Sequence, residues 1–151
     1  MTAKSHQTPD FFFNTNSPEE TFALGKRIAC MLSQGSVVAL EGALGSGKTQ
    51  LVKGIALGLG INENITSPTY TIISEYKSSD SSLYHIDAYR LNNERDFEDI
   101  GGPEVINSNG ISVIEWSGRI QKSLPENTIT VCIEITGQSS RLIKISGVKE
   151  I

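Results

Sequence analysis

The chain has no run of apolar residues near the roughly 18 that a membrane-crossing helix needs. Its longest apolar stretches are Val37 to Leu40 and Phe11 to Phe13, which excludes a helical span. The first ten residues hold a Lys, a His, two Thr and a Pro but no apolar stretch, so no secretory leader is expected and the expected compartment is the cytoplasm. Cysteine is scarce: Cys30 and Cys132 stand far apart, flanked by Ile28, Met31, Val131 and Ile133. With two histidines and no Cys-x-x-Cys, this excludes a disulfide scaffold and a zinc ribbon, and both thiols are expected to be small buried groups. Basic charge is also in deficit, thirteen Lys and Arg against seventeen Asp and Glu. The whole net charge of −4 lies between Asp87 and Glu104, where six acids face two bases, and the rest of the chain balances. No basic face is left to track a phosphate backbone, so unaided nucleic-acid binding is disfavoured.

What is present fits one compact domain over residues 1–151, with 1–10 expected to be poorly ordered: 38% of the residues are hydrophobic, enough to offset chain entropy. Ser17 can cap a helix with Pro18 at its first position and Glu20 completing a capping box. Phe22, Ile28, Ala29 and Leu32 then recur at helical spacing until Gly35. Ser36 to Leu40 reads as a central parallel strand, and Lys48 to Leu59 as a helix with Leu51, Val52, Ile55 and Leu59 inward. Thr69 to Tyr76 and Leu83 to Asp87 read as a hairpin joined by the polar turn Lys77 to Ser82. Asn93 to Ile100 reads as a short helix and Ile111 to Glu115 as a buried strand. Ile129 to Ile135 with Leu142 to Ile145 reads as a C-terminal hairpin. The fold class is α/β: a P-loop NTPase-like sheet, parallel at its centre with antiparallel additions and helices on both faces.

Between the first strand and its helix lies Gly42-Ala43-Leu44-Gly45-Ser46-Gly47-Lys48-Thr49, a full match to G-x-x-x-x-G-K-[ST]. Its glycines allow the backbone to turn successive N–H groups inward, forming an anion nest at a helix N-terminus. Leu44, Gly45, Ser46, Gly47, Lys48, Thr49 and Gln50 are thus the nucleotide-binding candidates, with Lys48 facing the β and γ phosphates and the Thr49 hydroxyl on Mg²⁺. Such a loop also needs a carboxylate at a neighbouring strand end. Asp87 and Glu115 both follow apolar strand residues and are the candidates. Trp116, the single tryptophan, is expected to pack in the core, although a ring there could also cover the nucleotide or a partner. Ser67 and Thr69, around Pro68, form a candidate switch segment over the γ-phosphate. His85 is a candidate for packing, for a hydrogen bond to Asp87 or for proton transfer, and Arg90 for pairing with an acid or touching phosphate. Arg119 and Arg141 are further candidates. The guanine-reading Asn-Lys-x-Asp is missing, which favours ATP.

These motifs in this order, with Thr21-x-x-Leu24-Gly25, Ser67-Pro68-Thr69-Tyr70-Thr71, His85-Ile86-Asp87-Ala88-Tyr89-Arg90 and Glu115-Trp116, resemble the TsaE (YjeE) family of bacterial ATPases of tRNA threonylcarbamoyladenosine (t6A) biosynthesis. The resemblance runs from about Ser17 to Leu142. It implies a Mg-dependent ATPase, weak alone, that acts with the TsaB–TsaD complex and meets tRNA only indirectly. It makes Lys48, Asp87 and Glu115 catalytic, Thr49 and Glu115 the metal positions, and Trp116 a residue needed for activity. Two departures stand out: Ala43 where the family commonly has Asp, and Gln50 where it often has Thr. Two other readings remain at this point, a small-molecule P-loop kinase and a nucleotide-dependent docking module that does not hydrolyse. Five arginines and no insertion long enough for a lid speak against the kinase.

Overall fold

The computed structural model describes residues 8–68 and 72–151, so Thr69 and the first residues of the strand expected at 69–76 lie outside the described residues. One seven-stranded sheet runs through the protein: β1 (Phe11–Thr15), β2 (Val37–Gly42), β3 (Ile73–Lys77), β4 (Ser82–Asp87), β5 (Ile111–Glu115), β6 (Ile129–Ile135) and β7 (Arg141–Ser146), in the order β1-β7-β6-β2-β5-β4-β3. The centre is parallel, with β2 paired to β5 and β6 and β5 paired to β4. The two edges are antiparallel, β3 on β4 and the β6, β7, β1 ribbon. β1 is the edge strand the sequence reading did not contain. Its Phe11 and Phe13 lean on the core while Phe12 is exposed, the alternation of a half-covered edge.

Helices α1 (Pro18–Ala29) and α2 (Lys48–Gly58) cover one face. The Ser17 hydroxyl accepts the Glu20 amide at 3.1 Å, and the Glu20 carboxylate reaches back to the Asn16 amide at 2.7 Å, one residue beyond the usual capping box. The last α1 turns tighten, with Met31 and Leu32 amides on the Ile28 and Ala29 carbonyls, so the helix stops at Ala29 rather than near Leu32. The backbones of α1 and α2 touch at two glycines. A Cβ on Gly54 would lie 2.1 Å from the Phe22 carbonyl oxygen, and one on Gly25 would lie 2.3 Å from that of Leu51. This contact fixes α2, and with it the loop before it, against the body of the protein. Leu24, Ile28, Leu51 and Ile55 bury themselves there against Val38, Leu40, Val131 and Ile143.

The other face carries α3 (Glu94–Asp99), α4 (Gly102–Ile106) and a 3₁₀ segment, Ser117–Ser123. Phe97, Ile106 and Ile120 pack there on Val37, Ile86 and Ile114. α3 is the short acidic helix expected from Asn93, whose side chain accepts the Asp96 amide at 3.0 Å. Its acids also brace the fold, since the Glu94 carboxylate accepts the Ser123 hydroxyl and the Lys122 amide. α4 and the 3₁₀ segment lacked a sequence signal because each is too short for helical periodicity. Among the described residues no helix is long and apolar enough to cross a membrane.

Candidate active site at the phosphate loop

The parallel register sets the site. Leu40, Glu115 and Asp87 stand level at the carboxyl ends of β2, β5 and β4, because Leu40 pairs with Glu115 and Glu115 with Asp87. β2 then runs into the glycine loop, so both carboxylates flank the loop mouth, where ligands of open α/β sheets bind. Gly45 and Gly47 have φ of +79° and +102°, backbone that favours glycine, and α2 begins directly after Gly47. A cleft of about 860 Å³ opens there, bounded by Gly45, Gly47, Lys48, Thr49, Gln50, Ser67, Asp87, Glu115 and Trp116. The exposed Leu44 side chain, 91% accessible, stands at the loop tip.

Lys48 is 8% exposed and held from three sides. Its ammonium donates to the Gly42 carbonyl at 2.8 Å, lies 3.8 Å from Glu115 Oε1 and sits 4.6 Å from the centre of the Trp116 ring. Glu115, 5% exposed, is bridged on its other oxygen by His85, with Nε2 at 2.7 Å. A carboxylate only accepts, so His85 Nε2 carries a proton and donates it to Glu115. His85 Nδ1 is buried and has no partner among the described residues. His85 therefore orients Glu115, and the hydrogen bond to Asp87 expected from sequence is not formed. Residues 85 and 87 share one face of β4 but stand roughly 6.6 Å apart along it, and the parallel register sets Glu115 beside Asp87 on the neighbouring strand, within diagonal reach of His85. Asp87 instead accepts the Tyr89 amide on Oδ1 at 3.0 Å.

Trp116 is not a core residue. It is 37% exposed, adopts a left-handed φ of 59° and meets Tyr89 edge to face at 5.0 Å. The sharp turn after β5 swings its ring over Lys48, an arrangement that pattern reading assigns to packing because a large apolar residue after a buried strand usually continues the core. Arg119 stacks on Tyr89 at 5.3 Å, and Arg141 lines the cleft. Arg90 is exposed and does not line the cleft. Ala43 lines an adjoining cavity of about 590 Å³ with Glu41, Lys48 and Trp116.

The cysteines also differ from expectation: Cys30 is exposed and Cys132 only half-buried. Cys132 lies across from Glu41 at the end of β2 and its thiol donates to that carboxylate at 3.5 Å. Burial, then the negative charge of Glu41 and this hydrogen bond, push the Cys132 thiol above its ordinary 9.0, with Lys144 opposing. The neutral thiol is favoured in the folded state, so this contribution to stability is complete below pH 9 and is lost as pH rises beyond it. Iodoacetamide at pH 8.5 is expected to label Cys30 several-fold faster than Cys132, read by peptide mass spectrometry. Equal rates would contradict the raised thiol.

Comparison with known proteins supplies a family. The model of the family "Threonylcarbamoyl adenosine biosynthesis protein TsaE" matches residues 15–143. The chain is similar to the tRNA threonylcarbamoyladenosine biosynthesis protein TsaE of Treponema pallidum, 44% identical over 132 residues, covering 87% of this chain and 97% of that one. It is likewise similar to the protein of that name from Bacillus subtilis, 40% identical over 136 residues, covering 90% and 85%. Among solved structures, that of Bacillus subtilis YdiB superposes with a TM-score of 0.77 at 34% identity, covering 94% of this chain and 88% of that one.

Proposed function

The chain belongs to the TsaE family of threonylcarbamoyl adenosine biosynthesis proteins, and from that premise we propose that it is a Mg-dependent ATPase serving tRNA t6A modification, acting with the TsaB–TsaD complex. The observation that carries this reading is the level placement of Glu115 and Asp87 at adjacent strand ends, with the Lys48 ammonium 3.8 Å from Glu115, beside a glycine loop with positive-φ backbone at Gly45 and Gly47. The residues fit the ligand. Positive-φ glycines leave no Cβ between backbone amides and an anion. Thr49 and Glu115 offer two oxygens to a cation. Mg²⁺ typically takes only one or two protein carboxylates and fills its shell with water and phosphate oxygens.

Each side chain then has a separable task. Lys48 exchanges the Gly42 carbonyl for phosphate oxygens, and its ammonium is already dehydrated by Trp116 and Glu115, which strengthens its field on a phosphate. The Thr49 hydroxyl and Glu115 would hold magnesium, which when bound would neutralise phosphate charge. His85 keeps the Glu115 carboxylate turned toward Lys48. Asp87, with Oδ1 fixed by the Tyr89 amide, has Oδ2 left to orient an attacking water and take its proton. Ser67 borders the same cleft and belongs to the segment that meets the γ-phosphate side. The acidic balance of the chain fits a protein that leaves tRNA to its partner.

The direct test is ADP release from Mg-ATP by the purified chain, alone and with TsaB–TsaD, alongside equilibrium binding of a fluorescent ATP analogue. Binding with turnover that rises several-fold in the presence of the complex is expected. A folded protein with no affinity at millimolar nucleotide overturns the reading. One observation favours a second reading: Ala43 puts a methyl group at the rim of the cavity beside Lys48, so a chain that binds but never turns over, even with the complex, is a nucleotide-dependent docking module.

A further inference from the structure

We propose that Arg141 is a positioning residue that holds the phosphate loop in its anion-binding shape from the C-terminal hairpin, an inference that rests on the loop being the nucleotide site. Arg141 opens β7, at the far side of β6 from β2, and is 96 positions from Gly45 in sequence. Its register is set from both sides, by Ile135 on β6 and Thr15 on β1. From there one edge of the guanidinium grips two successive loop carbonyls, Nε on Ser46 at 2.9 Å and Nη2 on Gly45 at 3.3 Å. The remaining nitrogen anchors to the hairpin turn itself, Nη1 donating to Gly137 at 3.0 Å and to Ser140 at 2.8 Å.

A guanidinium is planar, permanently charged and donates in two directions at fixed angles, so it can tie two backbone segments together rigidly. The peptides here are trans, so a carbonyl pointed at Arg141 sends the N–H of the following residue the opposite way. Holding the Ser46 carbonyl thus orients the Gly47 amide, and the clamp keeps two carbonyl dipoles on a cation instead of facing an incoming phosphate. The positive-φ glycines make the loop intrinsically free to reverse those peptides, which is why a clamp has an effect. Serine at 46 is buried beneath the same point, its hydroxyl within 2.6 Å of where a Cβ on Gly42 would stand.

The test compares wild type, Arg141→Gln and Arg141→Lys without nucleotide by amide exchange over a peptide spanning residues 42–49, and then by titration with MANT-ADP and Mg²⁺. In both variants the loop amides are expected to exchange about tenfold faster and MANT-ADP to bind about tenfold more weakly, since a loosened loop spends less time in the competent shape. Turnover at saturating ATP is expected to stay within about twofold, an effect on KM rather than kcat. Slow exchange in β2 and β5 peptides marks the variants as folded, and Arg141→Lys provides the measurement should the Gln variant not fold. Unchanged loop exchange in a folded variant overturns the clamp. Full recovery of affinity and exchange by Lys also overturns it, reducing Arg141 to a charge near phosphate. Wild type that fails to bind MANT-ADP at all overturns the proposed function, while the exchange comparison still decides the clamp.

Discussion

Substituting Lys48 by Met is expected to weaken Mg-ATP binding by about 100-fold or more, the loss that follows from removing two or more charge-assisted hydrogen bonds worth about 1.5–3 kcal/mol each from a dehydrated site. Met is the informative replacement because it keeps an apolar stem against the Trp116 ring while deleting the ammonium. The free protein changes as well. Glu115 loses the cation 3.8 Å from Oε1 and keeps only His85 on Oε2, so a nearly buried carboxylate is left half-compensated. Breaking one side of such a pair is destabilising, and a lower melting temperature without nucleotide is therefore part of the expected result. Calorimetric titration of the folded variant, checked by a thermal melt, separates the two effects. A folded Lys48→Met protein with wild-type affinity would remove Lys48 from the phosphate site.

Much of this site was legible because its elements are local in sequence. The loop motif, the β2 strand and the α2 start follow one another within a few residues, and short-range rules fix each of them: apolar β-branched residues, glycines and a helix-forming run. Asp87 and Glu115 were legible as strand ends. The partners of those side chains were not. His85 meets Glu115 across two strands, and Arg141 meets the loop across β6, contacts that depend on strand order and register. A one-residue change of register would send each side chain to the opposite face, and periodicity within a single strand cannot supply that information. Trp116 was misplaced for a different reason: its left-handed backbone is a conformation that bulky residues rarely adopt, and local propensity therefore argues for continuing the strand into the core. The same outlier holds the ring over Lys48, consistent with backbone strain collecting at a functional site. β1, too, was hidden, since Phe11 to Phe13 reads as an apolar run until β7 gives it a partner with alternating burial.

Asp87→Asn is expected to lower ATP turnover by about 100- to 1,000-fold, the range typical of losing a positioned general base, while MANT-ADP affinity changes by less than about threefold. Asn keeps the oxygen that accepts the Tyr89 amide, so the local backbone has no reason to move, and only the proton-accepting capacity disappears. Glu115→Gln is expected to behave otherwise. Glu115 sits between two donors, the Lys48 ammonium and His85 Nε2–H, and a carboxamide must present an NH₂ to one of them. If the amide faces His85, the imidazole has to shift its proton to the buried, unpartnered Nδ1; if it faces Lys48, the ammonium is repelled toward Gly42 or out of the site. Either arrangement disturbs the surroundings of Lys48, the cation proposed to meet the nucleotide, so affinity and turnover should fall together. The two substitutions therefore divide the carboxylates by role, Asp87 acting on the reaction and Glu115 on the ground-state site. Binding that survives Glu115→Gln but is lost in Asp87→Asn would exchange those assignments and make Asp87 the acid nearer to magnesium.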